Sequence, residues 1–499
     1  MNAYVLCTRY SVQKTAIIIT PHTRFTAVSL RILAPAILLF AMAPVVAQES
    51  RPNMVVILAD DLGAADLGCY GADLIETPRL DSLARESVVF RQAYAAAPVC
   101  SPTRAALMTG KHPARLGITI WSEGSLEGPK NRKLLQGESS HDLPLAEVTL
   151  AERLHDAGYA TALVGKWHLG DADHAPETQG FDVNIGGTRW GAPQTFFWPY
   201  RGSGRFGQEF RYVPGLPLGQ TRDYLTDKLT DAALAFIDSA GQRPFYLLLA
   251  HHAPHTPIEA PKPLVEHFQA KLQPEMKHQN AGYAAMIKSL DENVGRVLDH
   301  LRSRGLADNT LVVFTSDNGG YIGVDRKSGF TAPCTSNYPL RSGKGSLYEG
   351  GIRVPLIVRW PRAPTAERPE AVTTGDLFFT LLAAAGVTSA NNEQVDGVDL
   401  SPLVHGQEQL VRDRLFWHYP HYYETTTPVS AIRSGDWKLL EYFENGRREL
   451  FNLRDDPTES RDLAAEQPER AKTLSRELAN WQKQVGAKLP QPNPQYRGK

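Results

Sequence analysis

The side chains best suited to chemistry fall in a few short clusters. Asp60-Asp61 and Asp317-Asn318 offer four oxygen donors, each pair just after an apolar run. Hard oxygen ligands with no Cys or His cluster among them favour Ca2+ over zinc, with Mg2+ the weaker alternative. Cys100 opens the stretch Cys100-Ser-Pro-Thr-Arg104, which continues to Leu107-Met-Thr-Gly110. Pro102 near its start and Gly110 at its end fit a helix that begins near Thr103. Cys100 then lies at the helix N-terminus, where the dipole favours negative charge, with Arg104 one turn on along the same face. Four cationic or titratable groups follow: Lys166 and His168, two apart and so on one side of an extended segment, then His255 and Lys344. Taken singly, each acidic pair reads equally as a turn or helix cap, Cys100 as a buried packing residue, and each cation as solvated charge.

The elements that must position these groups alternate between strand and helix. Asn53–Ala59 (NMVVILA), 160–164, Phe245–Ala250 (FYLLLA), 310–315 (TLVVFT) and 354–360 are short apolar runs of the buried-strand type. Thr149 and Glu152 form a capping box, so a helix starts there and stops at Gly158. Further helices are expected over 223–239, 283–304 and 376–385. This order predicts an α/β fold with a large mixed, mostly parallel sheet sandwiched by helices. Ligands in such sheets bind beyond the carboxyl ends of the strands. Asp60-Asp61, Lys166 with His168, the group His251, His252 and His255, and Asp317-Asn318 all follow strands at that end. After Gly406 the texture changes. Segments 434–441 and 448–453 look like short antiparallel strands separated by turns, and a last helix is expected over 469–485. Residues 48–405 are therefore expected to form the catalytic domain, and 406–499 a small C-terminal α+β domain with a short antiparallel sheet.

Across 499 residues the formal net charge is −1, with no basic stripe, which argues against a nucleic-acid partner. Residues 1–47 differ from the rest. They hold no Asp or Glu, carry Arg9, Lys14, Arg24 and Arg31, and include an apolar run from Ile32 to Ala43 before Ala47. That is the pattern of a cleaved signal peptide and implies a periplasmic or secreted protein. The run is short for a span and contains Pro35, so no stable membrane insertion is expected after cleavage. Cys7 leaves with the leader. Cys69, Cys100 and Cys334 remain in an oxidising compartment, an odd number. A Cys69–Cys334 pair is possible and would leave Cys100 over.

Cys100-Ser-Pro-Thr-Arg104 resembles the C-x-P-x-R signature of the formylglycine-dependent sulfatases, the type I sulfatases of the alkaline phosphatase superfamily, here of a bacterial arylsulfatase-like kind. Asp60-Asp61-Leu-Gly, Gly165-Lys-Trp-His-Leu-Gly170, Pro254-His255-Thr-Pro257, Ser316-Asp-Asn-Gly319 and Gly343-Lys-Gly-Ser-Leu-Tyr-Glu-Gly-Gly351 resemble further family blocks, in family order. The resemblance spans 51–485. It implies an alkaline-phosphatase-like fold and a sulfuric ester hydrolase. It also implies that a formylglycine-generating or sulfatase-maturing enzyme oxidises Cys100 to formylglycine. One hydroxyl of the hydrated aldehyde attacks sulfur, the alcohol departs, and the second hydroxyl expels sulfate. Ca2+ is implied on Asp60, Asp61, Asp317, Asn318 and the residue derived from Cys100. Arg104 is implied to hold the hydrated aldehyde, Lys166 and Lys344 to bind sulfate oxygens, and His168 to act as base. His255 is implied to protonate the leaving oxygen with help from Lys344, and Asp317 to accept the nucleophile's proton.

Outside that core, Trp190, Lys277, His278, His418 and His421 are candidates for either substrate contact or packing. His418 and His421 are favoured as substrate-binding because the C-terminal domain in this family often reaches over the pocket. His251 and His252 are expected to support the core. The substrate implied is a sulfated saccharide, such as a polysaccharide or glycosaminoglycan fragment. Two rivals stand beside this reading. One is a phosphonate or phosphate-ester hydrolase with the same nucleophile; the other is a non-catalytic, sulfated-glycan-binding protein with Cys100 unmodified.

Overall fold

Strand β1 (Asn53–Ala59) is buried along its whole length, and its side chains alternate between two cores. Val55, Ile57 and Ala59 enter one, while Met54, Val56 and Leu58 enter the other. A strand apolar on both faces belongs inside a sheet that is covered on both sides. The computed structural model, which describes residues 51–126, 131–388, 394–407, 410 and 412–498, places it there.

The other strands of this sheet are β2 (Val88–Tyr94), β3 (Ala160–Gly165), β4 (Val183–Ile185), β5 (Phe245–Ala250), β6 (Thr310–Ser316), β7 (Leu356–Arg359) and β8 (Ala366–Thr373). Their spatial order is β4-β3-β5-β1-β6-β7-β2-β8. All pairings are parallel except the two made by β7, so the sheet is mixed and mostly parallel. Helices Leu225–Ser239 and Ala281–Ser303 cover one face, and Cys100–Thr109, Leu150–Asp156 and Asp376–Ala384 the other. The capping box is made as expected: Thr149 Oγ1 accepts from the Glu152 amide at 3.1 Å, and the Thr149 amide donates to Glu152 Oε2 at 2.7 Å.

Two expectations shift. The helix expected near Thr103 begins at Cys100, because Pro102 falls in the first turn, where backbone N–H groups have no helical acceptor. Strands β2, β4 and β8 were not anticipated. Strand β8 carries Pro369 and three charged residues, a composition tolerated at the sheet edge it occupies.

A second, antiparallel sheet follows, ordered β9 (Arg414–Tyr419), β10 (Val429–Ser434), β11 (Trp437–Tyr442) and β12 (Arg448–Asn452). One of its faces packs Trp417, Tyr419, Ala431 and Leu440 onto Tyr94, Val99, Leu347 and Ile352. Its other face packs Ile432, Leu439 and Leu450 onto Leu474, Leu478 and Trp481 of the helix Pro468–Val485. Residues 434–441 are the turn and second arm of a hairpin, bent at Gly435 with φ +56°. Residues 1–47, where the leader is expected, lie outside the described residues. Among the described residues no helix is long and apolar enough to cross a membrane.

Candidate active site

Four adjacent parallel strands, β3, β5, β1 and β6, end side by side, and β2 leads from the same end into the helix of Cys100. Their carboxyl ends deliver Lys166, the His251–His255 loop, Asp60-Asp61 and Asp317-Asn318 to one place. Cys100, the first residue of its helix, lies with Sγ 3.7 Å from Asp60 Oδ1 and 3.5 Å from Lys344 Nζ. Lys166 Nζ donates to Asp60 Oδ2 at 2.7 Å. Lys344 Nζ sits 2.7 Å from Asp61 Oδ1 and 2.9 Å from Oδ2. Arg104 reaches Asp317 Oδ2 through Nε at 2.9 Å and Nη2 at 2.8 Å, and its Nη1 donates to the Lys166 carbonyl at 2.9 Å. Asn318 Nδ2 donates to Asp61 Oδ1 at 2.8 Å. His255 Nε2 is 3.5 Å from Asp61 Oδ2, while its Nδ1 meets the Thr256 carbonyl at 2.6 Å.

Asp61 holds this position in a left-handed conformation, with φ 64°. Tyr283 Oη lies 2.9 Å from its carbonyl and 2.7 Å from Asp66 Oδ2, with its single proton shared between them. His278 closes that network, with Nδ1 2.6 Å from Asp73 Oδ1 and Nε2 3.2 Å from Asp66 Oδ1. His278 thus buttresses the backbone of Asp61 from behind. His168 also has a positive φ, 62°, and the backbone passes so close that a Cβ on Gly191 would lie 2.3 Å from its ring.

A cavity of about 390 Å3 opens onto Asp61, Cys100, His168, His255 and Lys344, within the size range of small-ligand clefts. His418 and His421, expected to bind substrate, are not part of its lining. His418 is buried between Ser430 Oγ at 2.7 Å and the Lys488 carbonyl at 3.1 Å, and His421 Nε2 bonds Thr119 Oγ1 at 2.7 Å. Both lock the C-terminal sheet in place. Trp190 lies under the guanidinium of Arg211, and Lys277 lies over the Tyr338 ring. His251 and His252 are buried behind β5 with both ring nitrogens unpartnered. Cys69 and Cys334 are free thiols. Trp121, Glu123, Arg211 and Tyr423 line the cavity and were not singled out from sequence. None sits in a recognisable block, and only the folded chain brings them to Cys100.

The family model described as Sulfatase matches residues 52–387, and a second, described as N-sulphoglucosamine sulphohydrolase, C-terminal, matches residues 343–484. The chain belongs to the sulfatase family. It is 34% identical to steryl-sulfatase of Mus musculus, with 85% of this chain and 76% of that protein covered. It is 33% identical to N-acetylgalactosamine-6-sulfatase of Homo sapiens, with 80% and 74% covered. Among solved structures, Ps i-CgsB in complex with k-i-k-neocarrahexaose superposes with a TM-score of 0.73 at 31% identity, covering 87% of this chain and 93% of that one. The protein is accordingly a sulfuric ester hydrolase.

The buried charges of this sulfatase balance one another. Three buried carboxylates, Asp60, Asp61 and Asp317, face three buried cations, Arg104, Lys166 and Lys344. Burial raises Asp60 to about 7; Asp317 and Asp61 add to the rise, and Lys166 opposes it. Burial works against the charge of Asp61 as well, but Lys344, His255 and Lys166 outweigh it and hold that carboxyl below the usual range. Burial pushes the Cys100 thiol up to about 12, so an unmodified cysteine here is a poor nucleophile. His168 is pushed down to about 4 by burial and then by Lys166. His255 falls to about 3 by burial, with Asp61 opposing and Lys344 and Lys166 adding to the fall.

These residues fit a hard divalent cation. Asn318 Oδ1 is buried with no hydrogen-bond partner, an oxygen donor left over. Crowded carboxylates, one of them pushed toward protonation, are what a site looks like when its counter-charge is a metal. Ligand atoms of Asp60, Asp61, Cys100 and His255 all lie within 4.8 Å of one another. His255 joins this group although the sequence placed it only on the substrate side.

Proposed function

We propose that this sulfatase cleaves sulfate esters of carbohydrates, with Cys100 converted to formylglycine and Ca2+ held by Asp60, Asp61, Asp317 and Asn318. The observation that carries the reading is the placement of Cys100 between Asp60 Oδ1 and Lys344 Nζ on the floor of the cavity. When present, formylglycine supplies a hydrated aldehyde with one hydroxyl to attack and one to expel sulfate, and Ca2+ supplies positive charge for a sulfate oxygen.

The chain's own residues do the rest. Lys166 and Lys344 are preorganised cations for the peripheral sulfate oxygens, where charge gathers as the ester bond breaks. Arg104 holds Asp317 and the carbonyl of Lys166, which fixes the lysine beside residue 100. His168 is neutral, buried and without a hydrogen bond at either nitrogen, as a proton acceptor should be. Lys344 is opposed by burial but held charged by Asp61, and so is a fixed cation beside the leaving oxygen. His255 becomes a proton source when an anionic ester binds, because the added negative charge raises its pKa.

A saccharide substrate is supported by the cavity wall, which mixes the aromatic Trp121, Phe206 and Tyr423 with the carboxylates Glu123, Glu209 and Asp325. Aromatic faces cover the apolar side of a sugar ring, and carboxylates accept from its hydroxyls. We place the enzyme in the periplasm or outside the cell, a reading supported by the acid-free, basic composition and apolar run of residues 1–47.

The test is sulfate release, followed by ion chromatography, from a panel of sulfated saccharides. The enzyme is coexpressed with a formylglycine-generating partner, with Cys100→Ala as control. Release by the wild type alone is expected. A rise in melting temperature with Ca2+, reversed by chelation, is the expected readout independent of turnover. Hydrolysis of matched phosphate esters in preference to sulfate esters would refute the reading.

A further inference from the structure

The cavity has one wall that the reaction chemistry does not use. Arg211 is 6% exposed, and its guanidinium lies over the rings of Phe206 at 4.5 Å and Trp190 at 5.0 Å. Its Nη2 is 3.4 Å from Glu123 Oε1 and 3.2 Å from Glu209 Oε1. Glu123 Oε2 stands 3.5 Å from His168 Nε2, so this wall begins one side chain away from the reacting centre.

Two atoms of the wall are buried without hydrogen-bond partners: Arg211 Nε, a donor, and Glu123 Oε2, an acceptor. Buried polar atoms left unmet in this way destabilise the fold around them. A sugar hydroxyl can donate to the carboxylates that line this wall, Glu123 and Glu209. A second sulfate or a carboxylate there cannot, because Arg211 already faces two carboxylates and a further anion would be repelled. The floor of the cavity presents Lys344 to the sulfate; the wall beside it sets Glu123 and Glu209 against Arg211 alone.

We infer that Glu123, Glu209 and Arg211 form a specificity site for neutral hydroxyls of the sulfated sugar, and that they exclude a second anionic group from this wall. The substrate is then a sugar unit carrying a single sulfate, neither disulfated nor uronate-bearing at this wall. This rests on the sulfatase reading above. Trp190 is a positioning residue for Arg211.

The experiment uses pairs of methyl glycosides that differ only by a second sulfate on the same sugar. Binding is measured by calorimetry on the full-length Cys100→Ala protein, so that no turnover is needed. The monosulfated member of the preferred pair is expected to bind about tenfold more tightly, and Glu123→Gln with Glu209→Gln should narrow the gap to about twofold. Glu209→Gln alone, at the more exposed carboxylate, should give an intermediate ratio, which guards against a double variant that fails to fold. Equal or tighter binding of the disulfated member, a gap unchanged in both variants, or no binding of either sugar overturns the inference. Sulfate release by matured wild type is measured in parallel. Discrimination in binding without any release would sink the sulfatase reading and leave the specificity site standing.

Discussion

Arg104 shows how much one residue is asked to do. Its Nε donates to Asp317 Oδ2, its Nη2 lies 2.8 Å from the same oxygen, and its Nη1 donates to the carbonyl of Lys166. A lysine ammonium is a point donor and cannot span that fork. Arg104→Lys should keep the fold and lower kcat/KM by about 10- to 100-fold, the usual cost of losing a group that orients its neighbours. Steady-state kinetics on one sulfate ester checks this; unchanged kinetics would mean Arg104 is only structural. At this scale the sequence was legible wherever a chemical group sits in a contiguous block, as with Cys100 to Arg104 or Gly165 to Gly170. It was silent on Glu123 and Arg211, 88 positions apart, because loops without periodicity bring them together. A Trp-His-Tyr-Pro-His run reads as sugar-binding, but the fold turns His418 to Ser430 and the Lys488 carbonyl and His421 to Thr119, away from the cavity of Cys100.

At the scale of elements, the loop that carries Lys344 is clamped by a buried charge cluster. Lys438 on β11 is fully buried and sits 2.8 Å from both Glu349 Oε1 and Glu459 Oε1, and Tyr94 Oη donates to Glu349 Oε2 at 2.7 Å. Glu349 opens the short helix Glu349–Ile352 at the end of the Lys344 block. Removing one member of a buried ion cluster leaves charge uncompensated, so Lys438→Met should destabilise the protein by about 3–5 kcal/mol in urea unfolding. A loss under about 1 kcal/mol would contradict the clamp. Strands β1, β3, β5 and β6 were legible because continuous apolar runs leave little choice in a sheet buried on both faces. Strand β8 was not, since its glutamates and Pro369 are allowed only by its place at the edge. The strand-end rule located the site before any side chain did.

At the scale of the whole molecule, buried imidazoles make stability depend on pH. Burial pushes His418 to about 4 and His421 to about 3. Unfolded, each titrates near 6.5. Their folded values are depressed, so their contribution is full above about pH 6.5 and is lost as the pH falls through 4 toward 3. The slope is about 1.4 kcal/mol per pH unit for each histidine. Urea midpoints should fall between pH 7 and pH 5, and His421→Asn should reduce the slope. A flat profile would mean that neither ring is held neutral by the fold.

The most direct measurement correlates activity with maturation. Preparations with graded formylglycine content at residue 100, quantified by peptide mass spectrometry, are assayed for sulfate release from one saccharide sulfate. The account predicts specific activity proportional to formylglycine content, passing through zero for the unmodified cysteine. Activity that persists in fully unmodified enzyme would contradict it.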